Sequence, residues 1–218
     1  MNDDFKRDVD QGLSSNPKTL PSKYFYDKKG DELFIEIMNM PEYYLYRSEL
    51  DIFKNKTPEL IESLNLDPKI YFEIIELGAG NGSKTKEFLN SLTDQNYLFK
   101  YYPIDISINA LNLIENKLNT ALPKVSVNPE QGDYFEILSS FKDNKKPKLI
   151  LFLGSNIGNM NDEIATQFIY NLGRNLHQGD RLLLGVDLIK PKDIVLPAYN
   201  DSRGITAQFN LNLLHRIN

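Results

Sequence analysis

Up to about residue 66, apolar side chains recur at helical spacing; from Ile70 onward they arrive in short runs separated by helical stretches. Residues 31–40 read as one helix. Residues 48–64 read as a second, because Leu50, Phe53, Leu60, Ile61 and Leu64 fall near one face. The first of these runs, 70–77, is β-branched and apolar and ends in glycines, which marks a strand. An alternation follows: helix 83–92 with Ser83 as its N-cap, strand 101–106, helix 108–118 capped by Ser107, and a short strand 125–127. Strand 149–153, helix 163–176 and strand 181–188 continue it. Residues 209–217 read as a helix that stops at Asn218 with no closing strand behind it.

Strands alternating with helices imply βαβ units, a parallel sheet and helices on both faces. The chain therefore divides into an N-terminal helical segment, 1–66, and a Rossmann-like α/β domain, 67–218. That domain is expected to lack the last strands of its sheet. A sheet edge left open in this way would pair two copies into a homodimer. In such sheets ligands bind beyond the carboxyl ends of the strands, so the residues directly after each strand are the ones to inspect.

Composition narrows the function. With 218 residues, 41% hydrophobic and 25% charged, the chain suits one buried core with a helical appendage. Its longest apolar runs, 149–153 and 182–186, are far too short to span a bilayer, and the N-terminus is too polar for a signal peptide. Zero cysteines exclude disulfides, thiolate metal sites and a cysteine nucleophile, and a cytoplasmic location is the simple reading. A net charge of −5 without a long basic run argues against nucleic acid. The densest basic cluster, Lys142, Lys145, Lys146 and Lys148, precedes an apolar strand and reads as a solvated loop. His177 and His215 lack ligand-like spacing, so no metal is expected. A small-molecule substrate remains.

The first strand runs into Glu76-Leu77-Gly78-Ala79-Gly80-Asn81-Gly82. Glycines permit a tight turn and close backbone approach, and the next helix offers unpaired N–H groups. Dinucleotide enzymes prefer G-x-G-x-x-G; G-x-G-x-G after an acid suits a ligand without a pyrophosphate, such as S-adenosylmethionine. A glycine loop alone is equally a plain turn. Asp105, ending the second strand, is placed to accept bonds from both ribose hydroxyls. Asp133 can accept from an adenine amino group with Tyr134 packed on the ring, or it can cap the helix that Tyr134 begins. After the fourth strand comes Gly154-Ser155-Asn156-Ile157-Gly158-Asn159; Asn159 can hold an amine through its carbonyl oxygen, or the segment is a turn using left-handed residues.

The runs Lys18-Thr19-Leu20-Pro21-Ser22-Lys23-Tyr24-Phe25-Tyr26-Asp27, Met40-Pro41-Glu42-Tyr43-Tyr44, the glycine loop through Lys84, Phe152 to Asn159, and Ala198-Tyr199-Asn200-Asp201 resemble the histidine-specific methyltransferase family, of the ergothioneine-pathway type. They span nearly the whole chain in order. The resemblance implies a class I methyltransferase sheet, S-adenosylmethionine as cofactor with S-adenosylhomocysteine as product, and an N-terminal segment that covers cofactor and substrate. It implies cofactor contacts at Tyr26, Gly78, Gly80, Lys84, Asp105, Asp133 and Tyr134. Tyr43, Asn159 and Tyr199 match residues that hold an amino-acid substrate, histidine or a related one; without the resemblance, Tyr43 and Tyr44 read as core aromatics. The family continues beyond the position of Asn218 with an acidic residue and a serine that recognise the imidazole. Two other readings stand beside it: a relative that binds cofactor or a partner without catalysis, and a nicotinamide-dependent oxidoreductase on the same sheet.

Overall fold

The computed structural model describes residues 3–218. In chain order its elements are α1 (Asp3–Ser14), α2 (Lys28–Met38), α3 (Tyr44–Asn55), α4 (Thr57–Leu64), β1 (Phe72–Leu77), α5 (Ser83–Asp94), β2 (Phe99–Asp105) and α6 (Ile108–Ala121). Then come β3 (Ser126–Val127), β4 (Glu130–Gln131), α7 (Tyr134–Ser140), β5 (Lys148–Phe152), α8 (Asp162–Arg174), β6 (Arg181–Leu184), α9 (Lys192–Tyr199) and α10 (Ile205–Ile217). They form two compact units: Leu45–Ile189, and Met1–Tyr44 together with Lys190–Asn218. The boundary read from the sequence near residue 66 thus falls elsewhere, and α9 and α10 group with the N-terminal helices.

In the larger unit, six strands among the described residues make one sheet in the order β3-β2-β1-β5-β6, with β4 also on β2, and each pairing is parallel. From β1 the chain works outward through β2 to β3, then returns to place β5 on the opposite side of β1. That reversal puts the switch point between β1 and β5, the place where ligands bind in open α/β sheets. Side chains alternate between two cores. Ile74, Leu149 and Leu151 join Phe88, Leu92, Ile114 and Leu118 of α5 and α6. Ile75, Leu77, Ile150 and Phe152 join Leu138, Phe168 and Leu172 of α7 and α8. Both faces being covered, β1 and β5 are apolar apart from Glu73, Glu76 and Lys148, which are themselves buried, and each apolar side chain contributes about 1.5–3 kcal/mol of burial.

At the amino ends of these strands a polar network is buried. Glu73 of β1 accepts from Asn144 Nδ2 (2.7 Å). The Lys148 ammonium donates to the carbonyls of Asn144 (2.6 Å) and Lys146 (3.2 Å) and lies 3.7 Å from Asp180 Oδ2. Lys148, read from the sequence as part of a solvated loop, is a fully buried strand residue.

Several boundaries differ from the sequence reading. The predicted helix 48–64 is two helices, α3 and α4, parted at Lys56, because Pro58 sits in the first turn of a new helix where its missing N–H is harmless. Ser83 is not an N-cap: Gly82 takes that position in a left-handed conformation, and Ser83 Oγ instead accepts from Lys117 Nζ. Ser107 does cap α6, accepting from Ala110 N at 3.2 Å. The last predicted strand ends at Leu184 rather than 188. None of the helices described is long and apolar enough to cross a membrane.

The second unit packs Leu33 and Ile37 of α2, with Met40 just after it, against Ile205 and Phe209 of α10, while Phe5 and Val9 of α1 meet Leu213. Asp27 ties its parts together, capping α2 at Gly30 N (2.8 Å) and accepting from Asn212 Nδ2 (2.9 Å). Asp201 does the same for α10, accepting from Ile205 N (2.9 Å) and Thr206 N (2.8 Å). Burial alone would raise its pKa, but these backbone donors outweigh it and hold the carboxyl at about 2. A folded value below the ordinary 3.8 means the contribution is full above about pH 4 and is lost as the pH falls toward 2. Asp201→Ala is expected to destabilise the protein by about 1–2 kcal/mol at pH 7, with the gap closing toward pH 2. Thermal unfolding of both proteins across that range checks it.

Candidate functional site

The loop after β1 is held by its neighbours rather than left slack. Gly78 N and Ala79 N donate to Ile104 O of β2 (2.8 and 3.2 Å), and Gly80 N donates to Asp105 Oδ2 at 3.1 Å. Asp105 Oδ1 accepts from Ser107 N at 2.9 Å. Asp105 thus ties the glycine loop to the start of α6. Gly78 has φ +74°, and a Cβ there would lie 2.7 Å from the Tyr134 hydroxyl and 3.2 Å from Asn156 Nδ2. Only glycine fits. At Gly80 nothing lies within 4 Å of the place a Cβ would take. A bare backbone beside a fixed carboxylate is the cradle that a nucleoside carrying an amino-acid tail requires, so the residues fit the cofactor the loop spacing suggested.

The acid before the glycines has another task. Glu76 is buried and accepts from Thr85 Oγ1 (2.8 Å) and from the Tyr101 hydroxyl. Burial pushes its carboxyl up to about 7, against the opposing pull of Tyr101, Thr85 and the Lys84 charge. It braces β1 to α5 and β2 from beneath the loop.

Lys84, in the first turn of α5, forms an ion pair with Glu49 of α3, and its Nζ lies 5.9 Å from the Tyr46 ring centre. The Glu49 carboxylate also accepts the Gly154 N–H on both oxygens (2.9 and 3.0 Å). A Cβ at residue 185 would collide with Glu49 Oε1, so Gly185 makes the seat that this carboxylate occupies. Glu49 lines a cavity of about 250 Å³ whose apolar walls include Ile52, Phe53, Leu60 and Leu183. Sequence reading missed Glu49. Its signal was an acid on the inward stripe of an amphipathic helix, four residues from both Leu45 and Phe53.

After β5, the segment Asn156–Asn159 forms a 3₁₀ turn entered through Gly154 (φ +75°) and Ser155 (φ +55°). Asn156, not singled out from the sequence, stands beside Gly78; Asn159, which was, is exposed at the far end of the turn. Asp133 caps α7, its Oδ1 accepting from Phe135 N (2.9 Å) and Glu136 N (3.4 Å). Tyr134 is half-buried, its ring 6.2 Å from Phe152, edge-on.

The remaining sequence-predicted residues belong to the other unit. There Tyr43 and Tyr199 meet edge to face (6.2 Å, 88°), and Tyr26 packs against Phe34 (5.6 Å) and Phe209 (5.7 Å). The structure thus brings Gly78, Gly80, Asp105 and Tyr134 together in one unit, and Tyr26, Tyr43 and Tyr199 onto one aromatic cluster in the second.

The profile of histidine-specific, SAM-dependent methyltransferases matches residues 5–218. The histidine N-alpha-methyltransferase of Mycolicibacterium smegmatis is 35% identical over 213 residues, covering 98% of this chain and 64% of its own. Its namesake in Mycobacterium tuberculosis is 37% identical with the same coverage. The chain therefore spans about 64% of the length of these curated relatives. Among solved structures, a Methanococcus maripaludis protein described as an S-adenosyl-L-methionine-dependent methyltransferase shares the fold, with a TM-score of 0.54 at 18% identity over 91% of this chain and 87% of that one.

Proposed function

This chain belongs to the family of histidine-specific, S-adenosylmethionine-dependent methyltransferases, and from that membership we propose that it methylates the α-amino group of histidine. The observation that carries the reading is the bond joining Gly80 N to Asp105 at the carboxyl ends of adjacent strands, beside the switch point. The nicotinamide alternative is set aside by the family match.

When bound, the cofactor supplies an electrophilic methyl group on a sulfonium. The chain supplies binding, orientation and exclusion of water. Gly78 and Gly80 present bare backbone, Asp105 accepts from the ribose hydroxyls, and Tyr134 with Asp133 serves the adenine. Lys84 belongs with these cofactor contacts. Tyr26 belongs with the cofactor contacts, and Tyr43, Asn159 and Tyr199 hold the amino-acid substrate; these roles rest on the resemblance of their motifs. The amine must be neutral to attack, so the substrate pocket is expected to offer its nitrogen acceptors such as the Asn159 amide oxygen rather than a full negative charge.

Incubation of the chain with S-adenosylmethionine and single amino acids, followed by mass spectrometry, tests this. Methylated histidine is the expected product, formed at least about tenfold faster than any other methylated amino acid. Binding of S-adenosylhomocysteine with no amino acid methylated would replace the reading with that of a cofactor-binding relative without catalysis.

A further inference from the structure

The least expected pairing in the larger unit is the one between Lys84 and Glu49. Their side chains are 18% and 14% exposed, so the pair is largely withdrawn from water yet still reachable, and Glu49 forms part of a cavity wall. The pair is also continuous with the glycine loop. Lys84 Nζ lies 3.6 Å, and Asn156 Nδ2 3.7 Å, from the position of a Cβ on Gly154, and the same Asn156 amide is 3.2 Å from that on Gly78.

A lysine alone at the end of a cofactor cleft would attract any carboxylate. Paired with a glutamate it is neutralised, and the pair gains from a ligand only when both partners are replaced at once, by a carboxylate for the lysine and a cation for the glutamate. An α-amino acid end is that ligand. Resting on the methyltransferase reading, we propose that Glu49 and Lys84 form a zwitterion clamp, in which Glu49 takes the α-ammonium and Lys84 the α-carboxylate of the cofactor's amino-acid tail.

Electrostatics favours the cofactor over the substrate as the source of that ammonium. A carboxylate beside an amine stabilises its protonated form, which would disarm a nucleophile but suits a tail that stays charged throughout. Glu49 is fixed for the task before any ligand arrives. The Gly154 N–H holds both of its oxygens, and Gly185 leaves it room.

Calorimetric titration of the chain with S-adenosylhomocysteine, with its analogue lacking the α-amino group, and with its analogue lacking the α-carboxylate is the test. The wild type is expected to lose roughly 10–100-fold in affinity on removal of either group. Glu49→Gln should bind S-adenosylhomocysteine more weakly by the same factor, yet bind the deaminated analogue within about threefold of it; Lys84→Met should show that pattern for the decarboxylated analogue. Should Glu49→Gln not fold, Glu49→Asp, one methylene short, must still shrink the wild-type preference for the amino group. Unchanged discrimination in the Glu49 variants, or a wild type indifferent to the amino group, overturns the clamp while leaving the methyltransferase reading intact. A folded wild type that binds no S-adenosylhomocysteine overturns both.

Discussion

Asp105→Ala is expected to bind S-adenosylhomocysteine at least about 100-fold more weakly than the wild-type chain, with circular dichroism unchanged. Two losses combine. A carboxylate that accepts from ribose hydroxyls makes charge-assisted bonds worth about 1.5–3 kcal/mol each, and two of them exceed the roughly 2.7 kcal/mol that a hundredfold requires. The side chain also anchors Gly80 N at 3.1 Å, so its removal loosens the loop on which the ligand rests. The fold should survive, because Asp105 ends its strand at the site and the α6 cap belongs to Ser107. Asp105→Asn separates the two losses: it keeps an acceptor near Gly80 but gives up the charge, and should fall between wild type and alanine. Affinity within about threefold of wild type in Asp105→Ala would move the ribose contact to another residue.

Lys148→Met should be the most damaging of these substitutions to stability. The ammonium is fully buried, bonded to two carbonyls and 3.7 Å from Asp180, whose side chain is 3% exposed. Methionine fills nearly the same volume but leaves the Asp180 carboxylate buried without its cation, a loss of about 3–5 kcal/mol. Asp180 keeps two backbone donors, Lys148 N and His177 N, each at 2.8 Å, which is why partial rather than total loss of the folded state is expected. Urea unfolding measures the change. Adding Asp180→Asn should recover much of it, since no lone charge then remains; a single variant within about 1 kcal/mol of wild type would show that the backbone donors alone satisfy Asp180.

How much of this was legible depended on how locally each feature is encoded. Strands β1 and β5 announced themselves because a strand covered on both faces is apolar at most positions, and the exceptions here, Glu73, Glu76 and Lys148, are buried with partners of their own. The run into β6 overshot for the converse reason: Val186 and Leu188 are apolar enough for a strand, but pairing ends at Leu184, and both side chains are exposed. Composition does not say where a partner strand stops. Helix α1 is half charged, with Phe5 and Val9 one turn apart, so its inward face was too thin to read; α9 was hidden by Pro191 before it and Pro197 within it.

The site divides along the same line. Gly78, Gly80 and Asp105 sit where a strand gives way to a turn, and glycine spacing writes that geometry into adjacent residues. Asp133 carried two readings, of which the helix cap is the bond seen. Glu49 could not be placed, because its partners lie 35 and 105 positions away and only the folded sheet brings them together.

The interleaving of the two units has a consequence for how the chain is made. The unit Leu45–Ile189 is contiguous in the chain, so its internal contacts do not wait on residues 190–218. Those of the first helices do. The side chains of α2 find their cover in α10, and Asp27 reaches Asn212 across 185 positions. At about 5–20 residues per second, α2 waits on the order of ten to forty seconds with Leu33 and Ile37 uncovered. During synthesis, therefore, the N-terminal segment is translated first and completed last.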